Sequence, residues 1–581
     1  MARALLVVHR AGAERRDVAA YLDVLNRRLT PDNVTPRKPA VAEADGVTSV
    51  VFNPSGATRI RAGSICIGAL FGSSADWHRP GPLRPEGCYA VLRSDRQYVE
   101  LVADATASRT VWYTLTPDLF IASTSQRAIV TLLGRFEPNP SAIAWMLSSG
   151  TLGPEAAWDL RLRQVLPGER ITLDRTSWRL THDIDPADFA PTIPSEYPHL
   201  AKQFADTLEA ALRQYVFDTS KWAFLLSGGV DSRGLLSLLG PRVGIRTVTW
   251  GVSTSPRQAW NDARVARRVA AQLGLENRFF SVDLLEEPRE KLIRRFLVAG
   301  EGRVANISPF VDGFGLWKRL HEEGFDGVIR GDEGFGSRFV RNEYEVRNAT
   351  KLTMLEDYFH EDEIAAFGLP HQFLPWRLAP RRAETLATWR DRLYQQNRLP
   401  KFLAGLTDLQ SPYVEVVNPL LAYTILRCVR TLPDHLRTNK RLWREFAQSK
   451  SLPTPLARRS AVLPLQRFVS DTDLLTLMLA ELETHQERDA LGGVLRATVC
   501  ASIRAALAVG ADERSRVRGP RLLALIAPDG LRMAARRWMP VRPQFEPLVF
   551  AFRAFIASRM NSLLRTDSAA LSASPRQVAG L

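Results

Sequence analysis

The residues best suited to chemistry are Ser227-Gly228-Gly229-Val230-Asp231-Ser232. They follow an apolar run, Trp222 to Leu226, that reads as a buried parallel strand. They precede a Leu-rich stretch, Arg233 to Leu239, that reads as a helix. A strand that ends in glycines and turns into a helix N-terminus aims unpaired N–H groups and the positive end of a helix dipole at an anion. Gly228 and Gly229 allow close approach and positive φ, and Ser227 and Ser232 add hydroxyl donors. Asp231 would repel a bare phosphate, so its place here fits a divalent cation bridging carboxylate and phosphates. No Lys follows the glycines, which departs from the P-loop kinase spacing.

A second constellation is Gly331-Asp332-Glu333-Gly334-Phe335-Gly336, after the apolar segment that begins at Phe325. Paired acids at the C-terminal end of a strand, on the side of the phosphate loop, suit a second Mg²⁺ ligand, with Asp332 facing Asp231. An acidic surface turn is the alternative.

These stretches need a sheet to hold them. Ile245–Trp250 and Phe279–Asp283 read as further strands, and Asn261 to Leu275 carries an amphipathic helix with Val265, Val269 and Leu273 on one face. Strand, helix, strand, helix, strand predicts a doubly wound parallel sheet with nucleotide at its carboxyl ends. Leu200–Tyr215 reads as a helix packing on this domain. Residues 1–190 are β-rich: short apolar runs such as Ala4–Val8, Val47–Phe52, Ile65–Phe71 and Leu119–Ala122 alternate with Gly, Pro, Asp and Ser. Helices are expected near 15–28, 125–134 and 140–149. Residues 395–470 read as mainly helical, 512–545 as rich in Arg and Pro, 546–560 as a short amphipathic helix, and the last fifteen residues as disordered.

The 581 residues exceed one core, so the chain divides into 1–190, 191–475 and a basic extension, 476–581. Hydrophobic residues make up 45% and charged residues 24%, the balance of a soluble globular protein. Four scattered cysteines give neither metal-ligand spacing nor a disulfide framework, which suits a reducing cytoplasm. No apolar stretch is long enough to span a membrane. The net charge of +15 favours an acidic partner, but the excess Arg is concentrated in 513–541.

The motif Ser227 to Ser232 resembles the pyrophosphate loop of the ATP pyrophosphatase group, and the order of other phrases resembles the asparagine synthetase family in particular. Gly87-Cys88-Tyr89-Ala90, Asp104 to Arg109, Trp112-Tyr113, Phe120 to Thr124 and Leu166-Pro167-Gly168 are similar to its glutaminase domain. Asp332, Glu333, Phe335 and Gly336 match the second half of its later acidic motif, whose glycine-rich first half, where the family's catalytic acid or tyrosine lies, is shortened here. Glu415 to Leu421, Lys440 and Arg459 fall where its later phrases lie. The resemblance implies an N-terminal Ntn-hydrolase-like layered β-domain and a C-terminal ATP pyrophosphatase domain. ATP would lie on Leu226, Ser227, Gly228, Gly229, Asp231, Ser232, Val248, Trp250, Gly251 and Gly331, with Mg²⁺ on Asp231 and Asp332. For Trp250, core packing is the alternative.

Two departures matter. The family's glutaminase nucleophile is a Cys after the initiator Met, where this sequence has Ala2, so no glutamine hydrolysis is expected. The family's catalytic Lys is absent from the Leu452-Pro453 phrase. Glu333, Arg459 (or Arg458) and Lys440 are the candidate catalytic residues, and Arg459 would stabilise departing charge. Loss of the nucleophile resembles the β-lactam synthetases and lasso peptide cyclases. The expected function is therefore AMP-forming amide ligation on a small-molecule or peptide carboxylate, with a precursor peptide and its leader-processing proteins as partners. The alternatives are an asparagine-synthetase-like enzyme using ammonia and a catalytically impaired nucleotide-binding homologue. No nucleic-acid partner is expected, because neither an RNA-binding module nor sulfur-transfer cysteines are evident.

Overall fold

The computed structural model of the chain describes residues 2–14, 17–72, 75–190, 196–240, 244–450, 454–484, 491–509 and 541–570. Its first part is two six-stranded antiparallel sheets. One runs, in spatial order, Arg163–Gln164, Trp112–Leu115, Leu119–Ser123, Arg3–His9, Val47–Phe52, Ala40–Ala44. The other runs Arg179–Asp183, Arg170–Asp174, Tyr98–Ala103, Glu86–Ser94, Ser64–Phe71, Arg59–Arg61. Alternation along each strand explains the layering. Leu6, Val8, Val51 and Phe120 of the first sheet meet Ile65, Leu92, Leu101 and Ile171 of the second in one apolar cluster. Leu5, Val7, Val50 and Ile121 point the other way, into a cluster that includes the helices Gln126–Leu133 and Pro140–Ser149.

The second part is a five-stranded, all-parallel sheet. Its order is Asn277–Ser281, Arg246–Gly251, Trp222–Leu225, Gly327–Ile329, Glu415–Val417. In chain order this is 3-2-1-4-5, a doubly wound sheet whose strand order reverses between the Trp222 and Gly327 strands. The expected third strand, Phe279–Asp283, begins and ends two residues earlier. Thr247 pairs with Asn277 and Gly251 with Ser281, while Val282 only closes the ladder onto Gly251. Glu415–Val417 is a strand inside a region read as helical. It is too short to show a period of its own, and it pairs Val416 with Val328. The helix Tyr197–Leu212 packs into the cluster that holds Phe224, Leu226 and Leu235, as expected.

The C-terminal region differs from a surface extension. Helix Pro547–Ala569 runs for 23 residues, not 546–560. Phe552, Phe555, Ile556, Met560 and Leu564 are fully buried, packed in the same cluster as the helices 126–133 and 140–149. The buried residues of this helix are spread round its axis rather than gathered on one face, which corrects the amphipathic reading of 546–560. Asp567, expected to be in a disordered tail, ends this helix buried between Arg127 (2.6 Å) and Arg28 (3.1 Å). The basic 512–540 and residues 571–581 lie outside the described residues. The first helix starts late, at Leu22, after a 3-10 turn at Ala19–Tyr21.

Candidate active site at the switch point of the parallel sheet

The glycine corner follows the central strand. Helix Val230–Leu239 starts at Gly229, and its first turn leaves N–H groups without intrahelical carbonyls, facing the carboxyl end of the sheet. The corner is cross-braced. Ser227 N donates to Ser232 Oγ (3.0 Å), the two hydroxyls are 2.8 Å apart, and Gly229 N donates to Ser227 Oγ (3.2 Å). Gly228 N donates to Asp262 Oδ1 (2.9 Å). Burial raises the Asp262 carboxyl above its ordinary range, and the Gly228 N–H draws it back. The expected left-handed backbone is absent: Gly229 has φ −76°, and neither it nor Gly228 lies in the positive region. Close approach is the reason for Gly228, where a Cβ would come within 2.7 Å of the Ala457 Cβ and 2.8 Å of the Val265 Cβ.

The second acidic loop crosses directly above. A Cβ on Gly331 would lie 2.8 Å from both N and Cα of Ser232, so only glycine lets the two loops touch. Beyond it the acids separate. Asp332 pairs with Arg330 (2.9 Å). Glu333, 3% exposed, turns inward, where its carboxylate accepts from Phe335 N (2.5 Å) and from Lys440 Nζ (2.5 Å). Lys440 also bonds Asp231 Oδ2 (2.9 Å), and Trp443 Nε1 donates to Asp231 Oδ1 (2.8 Å). One ammonium thus joins the two acidic motifs.

Lys440 is aimed by unusual backbone. Asn439 (φ 58°) and Lys440 (φ 56°) are both left-handed, a conformation that costs non-glycine residues about 1–3 kcal/mol each and persists where surroundings impose it. Asn439 N donates to Ser337 O (2.8 Å). Gly336, at φ 117°, leaves only 2.2 Å between a hypothetical Cβ and Arg437 O, so the two turns are locked face to face.

Electrostatics follow from this geometry. Burial raises the Glu333 carboxyl to about 7, with Lys440 pulling it down and Asp231 pushing it up. Burial opposes the charge on Lys440, but Glu333 and Asp231 outweigh it and hold the ammonium well above the ordinary lysine range. Burial and the nearby Glu333 carboxylate push the Tyr394 hydroxyl up to about 12.

Arg459 enters through its main chain. Its carbonyl accepts from Asp262 N (3.0 Å) and its N–H donates to Trp260 O (3.0 Å), while Ala457 N donates to Gly228 O (3.0 Å). The segment carrying Arg459 is therefore strapped along the glycine corner, and Arg458 stacks on Trp260 (4.8 Å). Val248 and Leu226 are buried core positions. Trp250 packs edge-on against Trp317 (5.8 Å), and Gly251 is pressed against Ala461, which a Cβ would meet at 2.5 Å. Asp262, Trp443, Arg330 and Tyr394 were not singled out from the sequence. Only Asp262 carries a local signal, an acid beside the helix cap Asn261.

Among the described residues no group of three or more His, Cys, Asp or Glu could hold a metal. Asp231 and Asp332 stand on crossing loops, and each carboxylate meets a cation of the chain itself, Lys440 and Arg330 respectively.

The N-terminal layers hold a contrasting place. Ala2 is buried beside a cavity of about 10 Å³ that Arg109, Thr110, Thr124 and Glu415 also line. Asp104 caps the turn that presents Arg109, accepting from Thr106 N (2.8 Å) and Ser108 N (3.2 Å). Arg109 is committed to the parallel sheet: it pairs with Glu415 and donates to Val416 O (2.7 Å). Burial raises the Cys66 and Cys88 thiols to about 12.

Residues 203–441 match the family model described as asparagine synthase. That stretch is similar to the asparagine synthase family. The match takes in the glycine corner, the Gly331–Gly336 loop and Lys440, and it leaves the layered sheets and the buried C-terminal helix outside. No curated protein matches the chain. Among solved structures, a "structure of the allosteric regulatory enzyme of purine biosynthesis" is 10% identical, with 48% of this chain and 80% of that chain covered and a TM-score of 0.20. Glutamine phosphoribosylpyrophosphate amidotransferase from B. subtilis complexed with ADP and GMP is also 10% identical, with 62% and 88% covered and a TM-score of 0.19. Neither likeness bears on the chemistry. Among the described residues no helix is long and apolar enough to cross a membrane.

Proposed function

We propose that the asparagine-synthase-like domain forms an amide bond at the expense of ATP, acting on a carboxylate of a peptide or natural product. The observation that carries this reading is Lys440, held between Asp231 of the glycine corner and Glu333 of the crossing loop. In it, the Ser227–Ser232 corner and the first N–H groups of its helix receive the β- and γ-phosphates. Asp231 and Asp332 hold Mg²⁺, which neutralises the phosphates when bound. The substrate carboxylate displaces pyrophosphate from the α-phosphate, an amine attacks the acyl carbon, and AMP departs.

Lys440 keeps positive charge at the junction as negative charge develops. Glu333, with an ionisation near neutrality, takes the proton that the attacking amine must lose. Arg459 stands on the segment strapped to the corner, where its guanidinium would meet departing phosphate. The amine comes from the substrate itself or from solution rather than from glutamine, because Arg109, beside Ala2, is paired to Glu415 and the adjoining cavity has room for about one water.

The test is ATP–pyrophosphate exchange across a panel of carboxylates, peptides included. Exchange that depends on one class of carboxylate, and disappears in Lys440→Ala, supports the reading. ATP binding without exchange for any of them overturns it.

A further inference from the structure

The Asn277–Ser281 strand is an edge of the parallel sheet. Its hydrogen bonds on the inner side come from even-numbered residues: Glu276 O accepts from Thr247 N and Val282 N donates to Gly251 O, both at 2.9 Å. Parallel pairing alternates, so Asn277, Phe279 and Ser281 direct their N–H and C=O outward. No described residue bonds to those outward groups. An open edge of this kind is a template for another strand.

The edge is flanked by two hollows that meet at Phe279. On the side of the helix Asp262–Gln272, a 410 Å³ hollow is lined by Arg257, Arg264, Arg267 and Phe279. No carboxylate among the described residues pairs with these three guanidinium groups; Arg264 reaches only the Arg257 carbonyl (3.3 Å). On the other side, a 490 Å³ hollow is lined by Phe280, Leu285, Leu316 and Asp312. Its arginines differ: Arg278 pairs with Glu323 and stacks on Phe280 (5.0 Å), and Arg319 also pairs with Glu323. One face of the edge is therefore cationic and uncompensated, and the other is apolar with its charge neutralised.

We infer that this edge binds an extended acidic polypeptide segment, which adds a strand to the sheet at Phe279. Main-chain bonds to Phe279 and Ser281 would supply register. Alternate side chains of the guest would point into the arginine hollow and the apolar hollow, so the segment that fits alternates acidic and aliphatic residues. The inference is independent of the amide-ligase reading, since it requires neither ATP nor turnover. Residues 510–540 of this chain are themselves rich in arginine and do not complement the hollow.

The experiment uses the full chain and a synthetic peptide of alternating Glu and Val, followed by fluorescence anisotropy without nucleotide. Two further probes are the same peptide N-methylated at every second amide and a Lys-Val counterpart. Saturable binding of the Glu-Val peptide is expected, weakened about tenfold or more by N-methylation, because strand addition needs those amides. The double variant Arg264→Glu/Arg267→Glu should lose affinity about tenfold for Glu-Val and gain binding to Lys-Val. Hydrogen exchange at the Phe279 and Ser281 amides should be fast in the free chain and slow in the complex. The inference is overturned if the N-methylated peptide binds equally well or if a single-stranded oligonucleotide binds as tightly as Glu-Val. Slow exchange of those amides in the free chain also overturns it, since that would mean the chain already covers its own edge.

Discussion

Two places in this molecule share a design and differ in what became of it. At each, a turn after a strand presents a charged residue from one segment toward another distant in sequence. Around Ala2 the approach is closed: Arg109 is fastened to Glu415 and Val416, and about 10 Å³ remains. At the glycine corner the charges are held in tension: Lys440 balances two carboxylates, one of them with an ionisation raised to about 7. The first arrangement resembles a strut, because Arg109 and Glu415 are both buried and their charges are spent on each other. The second resembles a site, because perturbed ionisation and strained backbone gather where a function needs them.

Experiments can break that comparison, and the largest effect should come from Lys440→Ala. It leaves Asp231 and Glu333 without their common cation, and turnover should fall by about 10²–10⁴ while the fold persists. Substrate-dependent pyrophosphate release together with circular dichroism measures both; near-normal release would make the junction structural. Next is Gly331→Ala, whose Cβ must displace the Ser232 backbone. Nucleotide affinity, read by calorimetry, should drop about tenfold or more if the two loops form one site.

The third prediction concerns pH. If Glu333 acts as a base, activity rises as pH passes about 7, and Glu333→Gln gives a low, flat profile. The same shift acts on stability. Because the folded chain holds this proton more tightly than the unfolded one, the stability it contributes is full below the ordinary glutamate range and is lost as pH rises through about 7. Thermal melts across that window should show a slope that Glu333→Gln removes. Arg109→Ala addresses the strut. Leaving Glu415 buried and alone should cost about 3–5 kcal/mol, seen as a lower Tm, while pyrophosphate release per folded molecule stays unchanged. The smallest expected signal is glutamate from glutamine, which should equal the protein-free blank; steady release would reopen the N-terminal layers as an active site.

The sequence made the glycine corner legible because its chemistry is local. Strand, glycines, acid and helix follow one another within a dozen residues, and apolar runs marked most strands of both parts. Gly331, Asp332 and Glu333 were legible for the same reason. The partition of the acids was not, since what separates Asp332 from Glu333 is which cation each one meets, Arg330 or Lys440. Lys440 itself could be named only as a candidate. Its role depends on two left-handed residues and on Gly336 closing against Arg437, contacts about a hundred residues apart. The last long helix was misread for a different physical reason. Its apolar residues are spread round the axis, with Arg553, Arg559 and Arg565 among them, so no one face stands out and only packing shows that it is interior.

That helix has a consequence for how the protein is made. Helices 126–133 and 140–149 meet Pro547–Ala569 only after some four hundred intervening residues have left the ribosome. Until then their apolar faces, and Arg127 without Asp567, stand open to water. The helical side of the N-terminal part is therefore completed only once Pro547–Ala569 has been made, and a nascent chain that stops short of it exposes an apolar face of the kind that hydrophobic-surface chaperones shield.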